Sequence, residues 1–198
     1  MEKLRSWRAP VFASLALAFA SFGDAFLYPY LPLNHAGVGV PVMWVGILLS
    51  VNRFIRILSN GLMVHFVVRY GLRTIMIIAV VMAIASTACY AFASTVFLWL
   101  IFRLLWGLAF SAMRIGTIGY ALQQQRQGLS LGISKSLQEA GPMLVLFISP
   151  FLLGNFTSRV IFLLLALLSL PALYFSWKLP KIPDRISPIQ RVKFLRFP

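Results

Sequence analysis

Six ionic side chains interrupt long apolar runs: Asp24, Arg53, Arg56, Arg103, Arg114 and Glu139. A charge at the centre of a bilayer costs roughly 3 kcal/mol or more, so each of these must face protein or water. A carboxylate in such a place can take up and release a proton, and an arginine can hold that carboxylate or an anionic solute. Spacing groups them. Arg53, Arg56 and Asn60 follow i, i+3, i+7 and share one helical stripe. Arg103, Gly107 and Arg114 share another, and Ser21, Asp24 and Tyr28 a third. Gly107, beside Arg103, leaves room for a neighbouring backbone.

The elements that must position these residues are the apolar runs themselves. Six blocks, 10–31, 42–66, 74–93, 96–119, 132–153 and 160–179, are each long enough to cross a hydrocarbon core of about 30 Å as a helix. They are continuously apolar and do not alternate, which favours helix over barrel strand. Short joints at Tyr70-Gly71-Leu72, Ser94-Thr95 and Gly154-Asn155 leave no room for a soluble domain. The chain therefore reads as an all-α polytopic membrane protein, with a six-helix bundle over 1–179 and a proline-punctuated polar linker or tail over 180–198. The small residues Ala18 and Ala20 make the first run resemble a secretory signal, but Asp24 just beyond fits a retained helix better. Gly132, Ser136 and Ala140 offer a small-residue face for close packing. Pro142 removes the bond to the carbonyl of Gln138 and can bend the fifth span.

Composition agrees. Of 198 residues, 60% are hydrophobic and 11% charged, outside the usual range for a soluble domain. The net charge of +14 would point to nucleic acid in a soluble chain. Here every lysine and arginine outside the spans falls on one side except Arg159, the positive-inside pattern. Anionic lipid accounts for the basic residues without nucleic acid, and both termini are expected in the cytoplasm of a cell with this protein in its plasma (inner) membrane. The single cysteine, Cys89, excludes an internal disulfide and a multi-cysteine metal site. His35 and His65 have no carboxylate nearby in sequence, and no hydrolase string occurs, so neither enzyme chemistry nor a cofactor or metal is expected. Trp7, Trp44, Trp99 and Trp177 fall near span ends, as interfacial anchors do.

Depth arithmetic suggests pairs. Asp24 and Arg103 each lie seven residues in from the same side of their runs, about 10 Å below the outer surface at about 1.5 Å per residue. They are expected to pair. Glu139, Arg114 and Arg56 share the inner half, so Glu139 is expected to pair with Arg114 or Arg56. By charge the spans run charged, charged, clean, and then the same again. This is the mark of a 3+3 inverted repeat of the kind found in transporters.

Four stretches carry a family resemblance. Gly23-Asp24-Ala25-Phe26-Leu27-Tyr28-Pro29 ends the first span. Arg69-Tyr70-Gly71-Leu72-Arg73 forms a basic loop. Arg103-Leu104-Leu105-Trp106-Gly107 is an arginine-plus-glycine string, and Ala140-Gly141-Pro142 is a glycine-proline element. In order and spacing they resemble the N-terminal half of a major facilitator superfamily (MFS) transporter. Val68 stands where that family usually has an aspartate, and Met143, Leu144, Val145 and Leu146 follow Pro142 in place of further glycines. The resemblance implies secondary active transport of a small molecule by alternating access, proton-coupled, with efflux and uptake both open. It implies a substrate and proton pathway of Asp24, Tyr28, Arg53, Arg56, Arg103, Arg114 and Glu139. Gly71, Arg73, Gly107, Gly141 and Pro142 would serve packing and conformational change. It also implies a second six-helix half, so a truncated or split gene product, or a non-transporting subunit, is the alternative expectation.

Overall fold

A computed structural model describes residues 7–181. Its helices are α1 (Arg8–Ala20), α2 (Phe22–Asn34), α3 (Val42–Tyr70), α4 (Leu72–Tyr90), α5 (Val96–Ala121), α6 (Gln127–Asn155), α7 (Ser158–Leu168) and α8 (Pro171–Trp177). Six stretches are long and apolar enough to cross a membrane: Arg8–Asn34, which joins α1 and α2, then α3 to α6, and Ser158–Trp177, which joins α7 and α8. They coincide with the six runs seen in the sequence. Nearly all of the expected tail, and the basic residues Lys3 and Arg5, lie outside the described residues.

Serine, proline and glycine decide where the helices bend. At Ser21 the backbone N–H donates to the carbonyls of both Leu17 (3.0 Å) and Ala18 (3.3 Å), and the hydroxyl donates to Leu17 again at 2.7 Å. That back-bonding separates α1 from α2 just before Asp24. Ser169 does the same to Leu165 (2.8 Å) between α7 and α8. In α6, Pro150 cannot donate to the carbonyl of Leu146. The Ser149 hydroxyl takes that acceptor at 2.8 Å, so the helix continues unbroken. Gly71 turns α3 into α4 in one residue at φ +82°, a conformation that side-chain-bearing residues rarely adopt, while its N–H donates to Val67 at 2.9 Å. Arg73 then ties this end to α8, donating to the Trp177 carbonyl at 2.7 Å.

Two cores hold the bundle. One is alanine-rich and joins α1, α4, α5 and α8 around Leu17, Met76, Trp106 and Met113. Small residues let these backbones close up, which matters in lipid, where apolar burial by itself gives little drive to associate. The other is aromatic: Phe26 and Tyr30 of α2, Tyr90 of α4, Trp99 of α5 and Phe162 of α7. Trp99 is therefore a core residue with 0% exposure, not an interfacial anchor. Trp7 and Trp177 are exposed, as an interfacial role requires.

The charge-free third and sixth spans are well covered within the bundle: 44% and 39% of their apolar windows are buried, against 17% and 22% for the second and fifth. The one ionic side chain of α4, Arg73, lies in its first turn, and the helix packs between α5 and α7–α8. The bare surfaces lie instead on α3 (Phe54, Ile57, Leu58) and α6 (Leu144, Phe147, Phe151). The small-residue face of Gly132, Ser136 and Ala140 points outward, and nothing lies near Gly132. The close approach of α6 to α1 happens one residue further round, at Gly141, where a Cβ would run into the Ala18 carbonyl. A backbone atom cannot step aside. Gly141→Val should therefore destabilise the bundle by about 1–3 kcal/mol, read as a lower melting temperature in detergent, while Gly132→Ala should melt like the parent chain.

Candidate functional site

The third and sixth spans contribute nothing to the wall of a cavity within the bundle. It is lined by α1, α2, α3, α5 and α6, has a volume of about 300 Å³, and is bordered by Asp24, Tyr28, Arg56, Trp106, Phe110, Arg114, Lys135, Gln138, Glu139 and Pro142. The charged, charged, clean pattern thus marks which spans reach the cavity.

Asp24 is the centre of the arrangement. It sits on α2 three residues after the Ser21 bend and is 6% exposed. Arg103 of α5, which is 0% exposed, donates through Nη1 to Asp24 Oδ1. Asn52 Nδ2 donates to the same oxygen at 2.9 Å, and Arg56 Nη2 reaches Oδ2 at 3.5 Å. The Arg103 guanidinium is accounted for on its other edge as well. Nε donates to the Leu48 carbonyl at 3.0 Å and Nη2 to Leu49 at 3.5 Å, both on α3. Its Cζ stands 5.9 Å from the Tyr28 ring centroid. One arginine thus clamps α2, α3 and α5 together through charge-assisted hydrogen bonds.

Asn52 was not singled out by sequence reasoning, and it is the hinge of the cluster. It is fully buried. It donates to Asp24 and accepts from Arg56 Nε at 3.1 Å. Its place opposite Gly107 is what the glycine allows, since a Cβ there would press on Asn52 and Ile55. Ser59, one turn beyond Arg56, hydrogen-bonds Ser111 at 2.9 Å and continues the polar seam between α3 and α5. The available signal was an asparagine and a serine at i, i+4, i+7 around Arg56 within an apolar helix. The stripe through Arg53 and Asn60 drew attention to the wrong side. Both of those residues are exposed, and Arg53 stands outside the cavity.

The pairing of Asp24 with Arg103 is present as depth suggested. The inner pair is corrected. Glu139 pairs with Lys135, one turn earlier on its own helix, and Arg56 turns to Asp24. A local i, i+4 partner needs no helix to approach, and Arg56 is held toward Asp24 by Asn52 and by the Phe110 ring 3.6 Å from its Cζ. Arg114 lines the cavity but forms no ion pair among the described residues. Pro142 and Gln138 both border the cavity, so the carbonyl that Pro142 leaves without its helical donor belongs to a lining residue. Among the described residues no three His, Cys, Asp or Glu side chains converge as metal ligands would.

A bundle of six membrane-length helices with Asp24, Arg56, Arg114, Lys135 and Glu139 on the wall of one cavity is the architecture of a solute-handling membrane protein. A family profile described as Major Facilitator Superfamily matches residues 13–196, and the chain belongs to that superfamily of membrane transporters. No individual curated protein matches it in a sequence comparison.

Proposed function

We propose that this chain carries out secondary active transport of a small molecule by alternating access, coupled to protons through Asp24. The observation that carries the reading is the Asp24 cluster: a carboxylate buried in the bundle, at the wall of the cavity, shared by Arg103, Asn52 and Arg56. Protonating Asp24 would remove its charge and loosen both arginines. Arg103 grips the carbonyls of Leu48 and Leu49, and Arg56 is itself part of α3. The proton state of one side chain is thereby linked to how α2, α3 and α5 sit together, which is the physical requirement for a proton to bias two conformations. Tyr28, Arg114 and Glu139 line the pathway in this reading. Gly71, Gly107, Gly141 and Pro142 shape the helices around it, and Arg73 fastens one end of α4 to α8.

The reading includes a second six-helix half. It is supported by the bare apolar faces of α3 and α6, the two helices that border the cavity from the outer edges of the bundle. The 3+3 repeat is supported by the packing. Exchanging spans one with four, two with five and three with six turns the contact of spans two and four into that of five and one, and the contact of three and four into that of six and one, all of which occur. The distribution of basic residues supports cytoplasmic termini in a plasma membrane.

The test is accumulation from a mixed metabolite extract into proteoliposomes under an imposed pH gradient, read by mass spectrometry. At least one compound should move with the gradient, and Asp24→Asn should cut that gradient-driven component at least tenfold. Movement indifferent both to the gradient and to Asp24→Asn would remove proton coupling.

A further inference from the structure

The charges around the cavity do not cancel, and the way they fail to cancel points to a ligand class. Two carboxylates face it, Asp24 and Glu139, and each already has a cation of its own in Arg103 and Lys135. Two guanidiniums are left over. Arg56 is locked in position: Asn52 accepts from its Nε at 3.1 Å, and its Cζ stands 3.6 Å from the Phe110 ring centroid and 5.2 Å from that of Trp106. Its one contact with Asp24 is the longest that the carboxylate makes, at 3.5 Å. Its Nη1 makes no hydrogen bond among the described residues, although an arginine fork has five donors to offer. Arg114 stands one turn beyond Phe110 on the same face of α5 and has no counter-ion among the described residues. Arg114, without a counter-ion among the described residues, and Arg56, held to Asp24 by one long contact, repel each other across one cavity and are relieved by an anion between them.

Shape narrows the class. The remaining wall is mixed: Leu17, Ala25, Pro142 and Leu146 are apolar, Ser21, Tyr28 and Gln138 are neutral and polar, and a volume of about 300 Å³ is at the small end for a ligand pocket. We propose that the cavity takes a small organic anion, a single carboxylate, sulfonate or phosphate group on a compact, partly apolar body, with the acidic group on Arg56 and Arg114. This rests on the cavity being the substrate site. It assigns Arg56 a particular part: bound to Asp24 by one long contact, it can trade that carboxylate for the ligand's without leaving Asn52 or Phe110.

The experiment reads the cavity's charge without needing the physiological substrate. Cys89 is replaced by serine, and Gln138→Cys places a thiol on the cavity wall. In phosphatidylcholine nanodiscs, the rates of modification by an anionic sulfonatoethyl and a cationic trimethylammonioethyl methanethiosulfonate are compared, each normalised to free cysteine. The anionic reagent should be favoured about tenfold, the lower end of what a focused field in a charged cleft gives. The preference should fall toward unity in Arg114→Gln and in Arg56→Gln. Millimolar benzoate should protect the thiol, and benzylamine should not. A preference for the cationic reagent, a ratio unmoved by both arginine substitutions, or protection by benzylamine would each overturn the proposal. Protection by phosphatidylglycerol discs without benzoate would give the acidic group to a lipid headgroup and overturn its assignment to a solute. The ratio reports charge whether or not the chain moves anything, so a failed flux assay and a failed charge assay are separate results.

Discussion

Asp24→Leu should unfold far more easily than the parent chain, and the double variant Asp24→Leu, Arg103→Met should recover much of the loss. The reason is the burial of Arg103, whose side chain has no exposed surface and whose only counter-ion among the described residues is Asp24. Without it the guanidinium keeps the carbonyls of Leu48 and Leu49, which are dipoles and do not neutralise it. Leaving one member of a buried pair alone costs about 3–5 kcal/mol, whereas replacing both members with apolar residues of similar size is often close to neutral. Arg56 responds differently to the same change, because 21% of its side chain is already exposed and it borders the cavity. Asp24→Asn is milder for stability, since an amide oxygen still accepts from Asn52 and Arg103, which is why it suits the transport assay. Denaturant unfolding of the two leucine variants in matched micelles decides the matter. Equal loss in the single and double variants would mean that Arg103 finds water or another acceptor, and that the pair is not what holds α2 to α5.

Trp99→Ala should be the most damaging uncharged substitution, at about 3 kcal/mol, the lower end of the range for removing a buried tryptophan. Trp99 stacks on Tyr90 with ring centroids 5.1 Å apart and meets Phe162 edge-on at 5.9 Å. Those contacts join α5 to α4 and α7. The lower end applies because the reference solvent on much of this chain is lipid, so the water-transfer part of the cost shrinks and the lost contacts and cavity remain. The melting temperature should drop clearly, with Trp177→Ala, an exposed position, as the comparison. An unchanged melting temperature for Trp99→Ala would show that the aromatic core closes over the gap.

The two variants also mark how far the sequence could be read. Asp24 and Arg103 were legible because each is an isolated charge at a matched depth in an apolar run, and buried charges must find one another. Trp99 was misread because a tryptophan near the end of a span looks the same whether it faces headgroups or a neighbouring helix. Glu139 was misassigned because depth alone does not say whether the nearest cation lies on another helix or one turn away on its own. Asn52 escaped notice because a neutral polar residue carries no obligatory partner in the sequence, while in the bundle it joins Asp24 to Arg56.

The sequence by itself determined six membrane-crossing helices, their short joints, the spans that carry charge, and the family. These follow from local quantities, the length of an apolar run and the cost of a charge in oil, that do not depend on how helices are arranged. Only the tertiary structure decided which face of each helix is covered, that α3 and α6 are the bare helices, and that Arg56 and Arg114 remain without a full counter-charge. A helix can be rotated about its axis by one residue, about 100°, with no change in composition or hydropathy. Which rotation is adopted depends on where a glycine such as Gly107 or Gly141 lets another backbone come close, and that is a property of two helices together.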